Sequence, residues 1–208
     1  MSADAVHAIL PLSLLEAMRN LDTPIDDGLA ELAGEMVAKR LGLSTTVASQ
    51  IERYRQTAER GGSVPLAEAV SVFRLVSRRP DAQLVFADAG RRAARYAARS
   101  ASGLQRGLLG ASPRLIRRRL GLRVAARVAS EVLQADLRAA GGLAEVQLRE
   151  SLASRAGAEG IGCYFYGSAL AELMRVLSGF EGAMLHERCR ARGDGACAWR
   201  ATTVEGYE

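Results

Sequence analysis

"GAMLHERCRARGDGACAWRATT", residues 182–203, is the stretch on which the fold turns. Gly193-Asp194-Gly195 supplies a tight turn near its middle, so the segment reads as two antiparallel strands of one hairpin. Upstream, "GCYFYGSALAELMRVLSG" (162–179) opens with aromatics and becomes a helix, and "LAEVQLRES" (143–151) alternates as a strand. Gly141-Gly142 marks where this texture begins. The last third of the chain is therefore expected to be α+β.

Before that point the chain reads as helices. Thr23-Pro24 with Asp26 and Asp27 opens one helix, carried by Leu29, Leu32, Met36 and Val37 and stopped at Gly42. Ser44 starts a second that runs to Gly61-Gly62, and "PLAEAVSVFRLVSRRP" (65–80) gives a third between prolines. "AQLVF" (82–86) reads as a short strand, after which "ADAGRRAARYAARSA" (87–101) returns to helical period. From Ser112 to Ala140, Leu115, Ile116, Leu120, Val124, Val128, Val132 and Leu133 recur every three or four positions, predicting one long helix or two broken near Gly121.

The 208 residues are 49% hydrophobic, enough to bury a core as one domain or as one domain with a helical appendage. Against 23 acidic residues stand 28 basic ones, nearly all arginine, a net charge of +5 that suits anionic partners without selecting nucleic acid. Charged residues interrupt every apolar stretch, so no transmembrane segment is expected. An odd set of three cysteines, and no signal-sequence pattern at Met1, point to reduced thiols in the cytoplasm.

Cys189 and Cys197 lie on opposite arms of the predicted hairpin, and Cys163 enters the helix before it. With His186 they compose a Cys₃His set, that of a closed structural zinc site. Three thiolates and a neutral imidazole leave Zn²⁺ with net charge −1, for which Arg188, Arg190, Arg192 and Arg200 are the local compensation. The alternative is three small buried hydrophobes, since free cysteine is among the most buried residue types. In a flat strand His186 and Cys189 point to opposite faces, so either the strand bulges or Glu187 takes the ligand position.

The aromatic-flanked Cys163, then "LHERC" (185–189) and "RARGDGACAW" (190–199), resemble the signature of the 4-vinyl-reductase domain family, with Gly193, Asp194, Cys197 and Trp199 matching its Gly-Asp-x-x-Cys-x-aromatic element. Residues 75 to 200 are similar to the family's bacteriochlorophyll-biosynthesis member, notably at Ala89-Gly90, Ala94 and Tyr96, although "VLQADLRAAGG" (132–142) stands where an aromatic stretch would be expected. The resemblance implies zinc held by Cys163, Cys189 and Cys197, with His186 at the place of a glutamate ligand. It also implies the fold of small vesicle-tethering (TRAPP-type) subunits: an antiparallel sheet packed on helices around an apolar cavity, as a homodimer. On this reading residues 1–79 are a helical N-terminal region and 80–208 the ligand-binding domain.

Reduction of a vinyl group needs a hydride or electron source. "GIGCYFYG" (160–167) has its glycines at the wrong spacing for a dinucleotide fingerprint, and three cysteines do not supply the usual four ligands of an iron–sulfur cluster. With two histidines in the chain, no other catalytic set is visible, and the arginines alone do not specify groove contacts to DNA. A tetrapyrrole instead wants an apolar cleft with arginines at its rim. The long helix offers an apolar stripe beside Arg117, Arg118 and Arg119, and Tyr164, Phe165 and Tyr166 offer ring-stacking surfaces, although each feature also reads as ordinary core or solvated face. The expected function is a non-catalytic porphyrin carrier or accessory protein of bacteriochlorophyll synthesis, partnered by that pathway's enzymes. Its expected location is the cytoplasm, including the periphery of the photosynthetic membrane. The alternative is an 8-vinyl reductase acting on a divinyl chlorophyll precursor.

Overall fold

The structure, a computed structural model, describes residues 4–23, 41–100, 114–140, 143–158 and 160–203. The predicted helix between Thr23 and Gly42 falls almost wholly outside them. The helices are α1 (Ile9–Asp22), α2 (Thr45–Glu59), α3 (Leu66–Ser77), α4 (Ala82–Ser100), α5 (Arg114–Val128), α6 (Leu152–Ala156) and α7 (Cys163–Ser178). Strands β1 (Ala5–His7) and β2 (Ser63–Pro65) form a small antiparallel pair. Strands β3 (Asp136–Ala140), β4 (Leu143–Leu148), β5 (Gly182–Arg188) and β6 (Cys197–Thr203) form an antiparallel sheet in the order β3-β4-β6-β5. The protein is thus α+β.

The hairpin, β4, α7, α2 and α3 stand where the sequence puts them, and Ser44 caps α2 by accepting from the Val47 N–H at 3.3 Å. Two segments differ. "AQLVF" is the first turn and a half of α4, because Val85 and Phe86 continue through Ala89 and Ala93 as one buried helical face. The helix predicted to reach Ala140 stops early: α5 passes into a π-turn at Ala129–Leu133, Gln134 adopts a left-handed conformation (φ 56°), and the chain leaves as β3. Gly121 does not break α5. It lets α5 approach α7, since a Cβ there would lie 2.1 Å from the Leu177 carbonyl oxygen.

Alternation gives the sheet one buried face: Ala144, Val146 and Leu148 of β4, and Cys197, Trp199 and Ala201 of β6. That face packs on helices whose buried side chains, from α1 as well as α4, α5 and α7, join it in one continuous core. The crossing of α4 and α7 is close because Gly90 faces α7 backbone, where a Cβ would stand 2.2 Å from the Phe165 carbonyl oxygen. Rings run from the core toward the hairpin: Phe73–Phe165 and Phe165–Tyr166 at 5.3 Å, Tyr166–Trp199 at 6.2 Å and Trp199–His186 at 4.7 Å.

Candidate metal centre

Cys163 opens α7, with its N–H donating to the Gly160 carbonyl at 3.0 Å. Gly160 has φ +85°, a left-handed turn that brings the chain around toward the Cys189 sulfur. Cys197 opens β6, and Cys189 ends the β5 arm. A bulge lies between His186 and Arg188: His186 pairs with Trp199 while Arg188 already pairs with Ala198. The extra residue, Glu187, resets the alternation, so His186 and Cys189 reach the same side despite their odd spacing. Glu187 itself is ion-paired with Arg200 on the outer face. Of the two ways the sequence left open, the bulge is the one realised.

The turn is fixed by its own polar groups. Asp194 Oδ2 accepts from the Cys189 N–H at 2.6 Å, the Arg192 and Asp194 N–H groups donate to the Cys189 carbonyl at 2.9 and 3.3 Å, and Gly193 takes φ +100°. These contacts explain the Arg-Gly-Asp-Gly sequence: it pins Cys189 and returns the chain to Cys197.

The ligand atoms of Cys163, His186, Cys189 and Cys197 all lie within 4.8 Å of one another. Cys163 Sγ is 3.8 Å from Cys189 Sγ and 3.9 Å from Cys197 Sγ, and the three cysteines are free. A tetrahedron with Zn–S bonds of about 2.3 Å has S···S edges of ~3.8 Å. His186 Nε2 is shut away from solvent with no hydrogen-bond partner, an orphaned polar atom of the kind a ligand would satisfy. Spacing, donor chemistry and the orphaned nitrogen all fit a metal ion, and this group could hold one.

The site also favours a thiolate. The Cys163 thiol donating to Cys197, together with the Arg190 N–H at 3.4 Å, pulls the Cys197 thiol well below its ordinary range, while the same partnership with Cys197 pushes Cys163 up. The expected compensation by arginines is carried differently. Arg200 is engaged by Glu187 and Arg190 by the Arg149 carbonyl at 2.5 Å, so the Arg190 backbone N–H is what faces the sulfur. Arg188 is exposed, and Arg192 turns toward a neighbouring cleft.

That cleft, of about 880 Å³, runs between α7 and the edge strand β5, and Cys163, His186, Cys189 and Trp199 line its end at the metal group. Its helical wall consists of Tyr164, Gly167, Ser168 and Ala171, spaced to share one face of α7, and the small residues leave the room. Its size is within the ~300–1,000 Å³ of organic-ligand sites.

Of the aromatic trio, Tyr164 lines the cleft and is 47% exposed. Phe165 and Tyr166 are core residues, rotated about 100° and 200° away from it. The Tyr166 hydroxyl accepts from the Leu152 N–H at 3.0 Å. Arg118 and Arg119 are exposed on α5 and do not line the cleft, and the Arg117 side chain lies outside the described set. The apolar stripe of α5, through Val124 and Val128, is core. Sequence reasoning missed the small residues of α7 and the proximity of Arg192; Gly167, Ser168 and Ala171 at one-turn spacing were the available signal.

These features define a class: an α+β protein with a Cys₃His group that could hold a metal ion at the end of a cleft of organic-ligand size. Compared with models of protein families, with curated proteins and with solved structures, the chain gives no significant match. No helix among the described residues is long and apolar enough to cross a membrane.

Proposed function

We propose that this protein is a zinc-stabilised, non-catalytic carrier of a porphyrin-type tetrapyrrole, related to the 4-vinyl-reductase domain family and serving bacteriochlorophyll synthesis. The observation that carries the reading is the juxtaposition of an ~880 Å³ cleft with a Cys₃His group in which Cys163 Sγ stands at tetrahedral spacing from the other two sulfurs. Cys163, His186, Cys189 and Cys197 would be the metal ligands. Zinc bound there supplies a cross-link between α7 and both arms of the hairpin, and so fixes the width of the cleft. All four protein ligands being internal, the centre is of the closed, structural type. The cleft offers a flat body the wall of α7 on one side and Met184 and Leu185 of β5 on the other. The family resemblance of "LHERC" and "RARGDGACAW" supplies the ligand class.

The test is a titration of purified, zinc-loaded protein with a divinyl chlorophyll precursor, followed by fluorescence, then incubation with NADPH with and without ferredoxin. Saturable quenching with the vinyl group intact is expected. Appearance of the monovinyl product would replace the carrier with the reductase reading, and no saturable binding would remove the carrier.

A further inference from the structure

With Arg118 and Arg119 placed away from the cleft, a cationic partner of an anionic ligand is sought among the residues that line it. Among the described residues that line it, Arg192 is the one arginine or lysine, and none is an aspartate or glutamate. Several other arginines of the described residues are committed: Arg79 to Asp22 and Asp81, Arg95 and Arg175 to Glu172, Arg200 to Glu187, Arg190 to the Arg149 carbonyl. The Arg192 guanidinium has no ion pair or hydrogen bond among the described residues. Its backbone is nevertheless held, because its N–H donates to the Cys189 carbonyl at 2.9 Å and the turn that follows is pinned by Asp194. A fixed Cα bearing an uncommitted guanidinium beside a cleft of mixed polar and apolar lining is suited to forked recognition of a carboxylate.

We propose that Arg192 anchors the carboxylate of the ligand, making the cleft selective for amphipathic acids whose anionic end lies at the 190–195 turn and whose apolar body runs between α7 and β5. This inference rests on the reading of the cleft as the ligand site. It assigns the metal group a second effect: a ligand of the metal, Cys189, is also the residue whose carbonyl holds the anchor in place. Gln83, Ser168 and Tyr164 are the polar neighbours left to complete the recognition.

The experiment compares protoporphyrin IX with its dimethyl ester, in the same detergent, binding to zinc-loaded wild type, Arg192→Gln and Arg192→Lys, with zinc content measured on every sample. The acid should lose about tenfold in affinity in Arg192→Gln, the worth of one charge-assisted contact. The ester should change less than about twofold, Arg192→Lys should fall between, and zinc content should stay the same. Equal losses for acid and ester, or loss of zinc with Arg192→Gln, would mean that Arg192 supports the turn or neutralises the thiolate centre, and would overturn the anchor. Wild type binding acid and ester equally, with Arg192→Gln no different, would overturn the anchor while leaving the cleft as the ligand site. Wild type binding neither would remove the cleft reading and the anchor with it.

Discussion

Where α4 meets α7, Ala89, Ala93, Ala94 and Ala97 pack against Phe165, Ala169, Leu170 and Leu173, all at or below 1% exposure, and a buried carboxylate seals the rim. The β5–β6 hairpin looks different. No residue of β5 is buried, and Leu185 stands 50% exposed. What the hairpin buries is Cys189 and, from β6, Cys197, Ala198, Trp199 and Ala201, so sulfur and one indole take the place of an aliphatic layer. At about 25 cal/mol per Å² of apolar surface, α4 and α7 are held by burial, whereas β5 contributes no buried side chain and the hairpin relies on β6 and Cys189. The contrast teaches that the Cys₃His group ties to the core an edge strand that buries no side chain of its own, and that the two regions should respond to different perturbations.

On the proposed zinc reading, the largest effect is expected from removing the metal or one of its ligands. Cys197→Ser, or chelation of zinc from the wild type, should cost on the order of 10 kcal/mol of local binding free energy, by analogy with zinc-finger peptides. Hydrogen exchange should then rise across residues 182–203 while α1, α4 and α7 keep their protection. Simultaneous loss of protection in both regions would erase the distinction between them. His186→Ala should release zinc, and Glu187→Ala, whose side chain faces Arg200 on the outside, should retain it.

The helical side is sharpened by Gly90→Ala. Alanine is ordinarily the better helix former by ~1 kcal/mol, yet here its methyl would meet the Phe165 carbonyl oxygen at 2.2 Å and the Ala169 nitrogen at 3.0 Å. Both are backbone atoms, so the helices must separate. A net loss of about 2–3 kcal/mol in urea denaturation is expected, with zinc still bound. A neutral or stabilising outcome would show that the crossing is looser than the structure has it.

How much of this was legible in the sequence depended on how local its cause was. The hairpin is encoded by its own turn, and α7 by an apolar period that ends at Gly179, so both could be read directly. The choice between His186 and Glu187 could not, because a bulge is a property of pairing: it needs Trp199 and Ala198 opposite, and no residue of β5 announces it. "AQLVF" misleads because five apolar-rich residues fit either period, and the deciding positions, Ala89 and Ala93, lie outside the five. The end of α5 is silent for the opposite reason, as it closes on Gln134 in a left-handed conformation without glycine or proline. Ala89-Gly90, Ala94 and Tyr96, which carried part of the family resemblance, have packing roles: a close helix crossing, and a Tyr96 hydroxyl that donates to Glu16 at 2.8 Å.

The smallest effect expected is that of the seal over α4 and α7, and it carries the pH signature of a carboxylate. Glu172 is 6% exposed and accepts from Arg175 Nε and Arg95 Nε at 2.7 Å each. The Arg175 guanidinium, helped by Arg95, holds its carboxyl down at about 2, against an ordinary value of 4.5. A carboxyl depressed on folding stabilises the folded protein at pH values above 4.5, and that contribution is lost as pH falls through the window from 4.5 to about 2. The displacement corresponds to ~3 kcal/mol at most. Because the two guanidiniums are 53% and 58% exposed, solvent screening reduces the expected value to about 1–2 kcal/mol. Glu172→Gln should therefore destabilise by that amount at pH 7, read by far-UV circular dichroism of urea unfolding so that the helices and not the metal centre are reported. The gap from wild type should narrow below pH 4.5 as the native carboxylate takes up its proton and becomes the equivalent of glutamine. A gap that stays constant from pH 7 to pH 3 would mean that Glu172 acts through packing, and the helical layer would then be held by apolar contact alone.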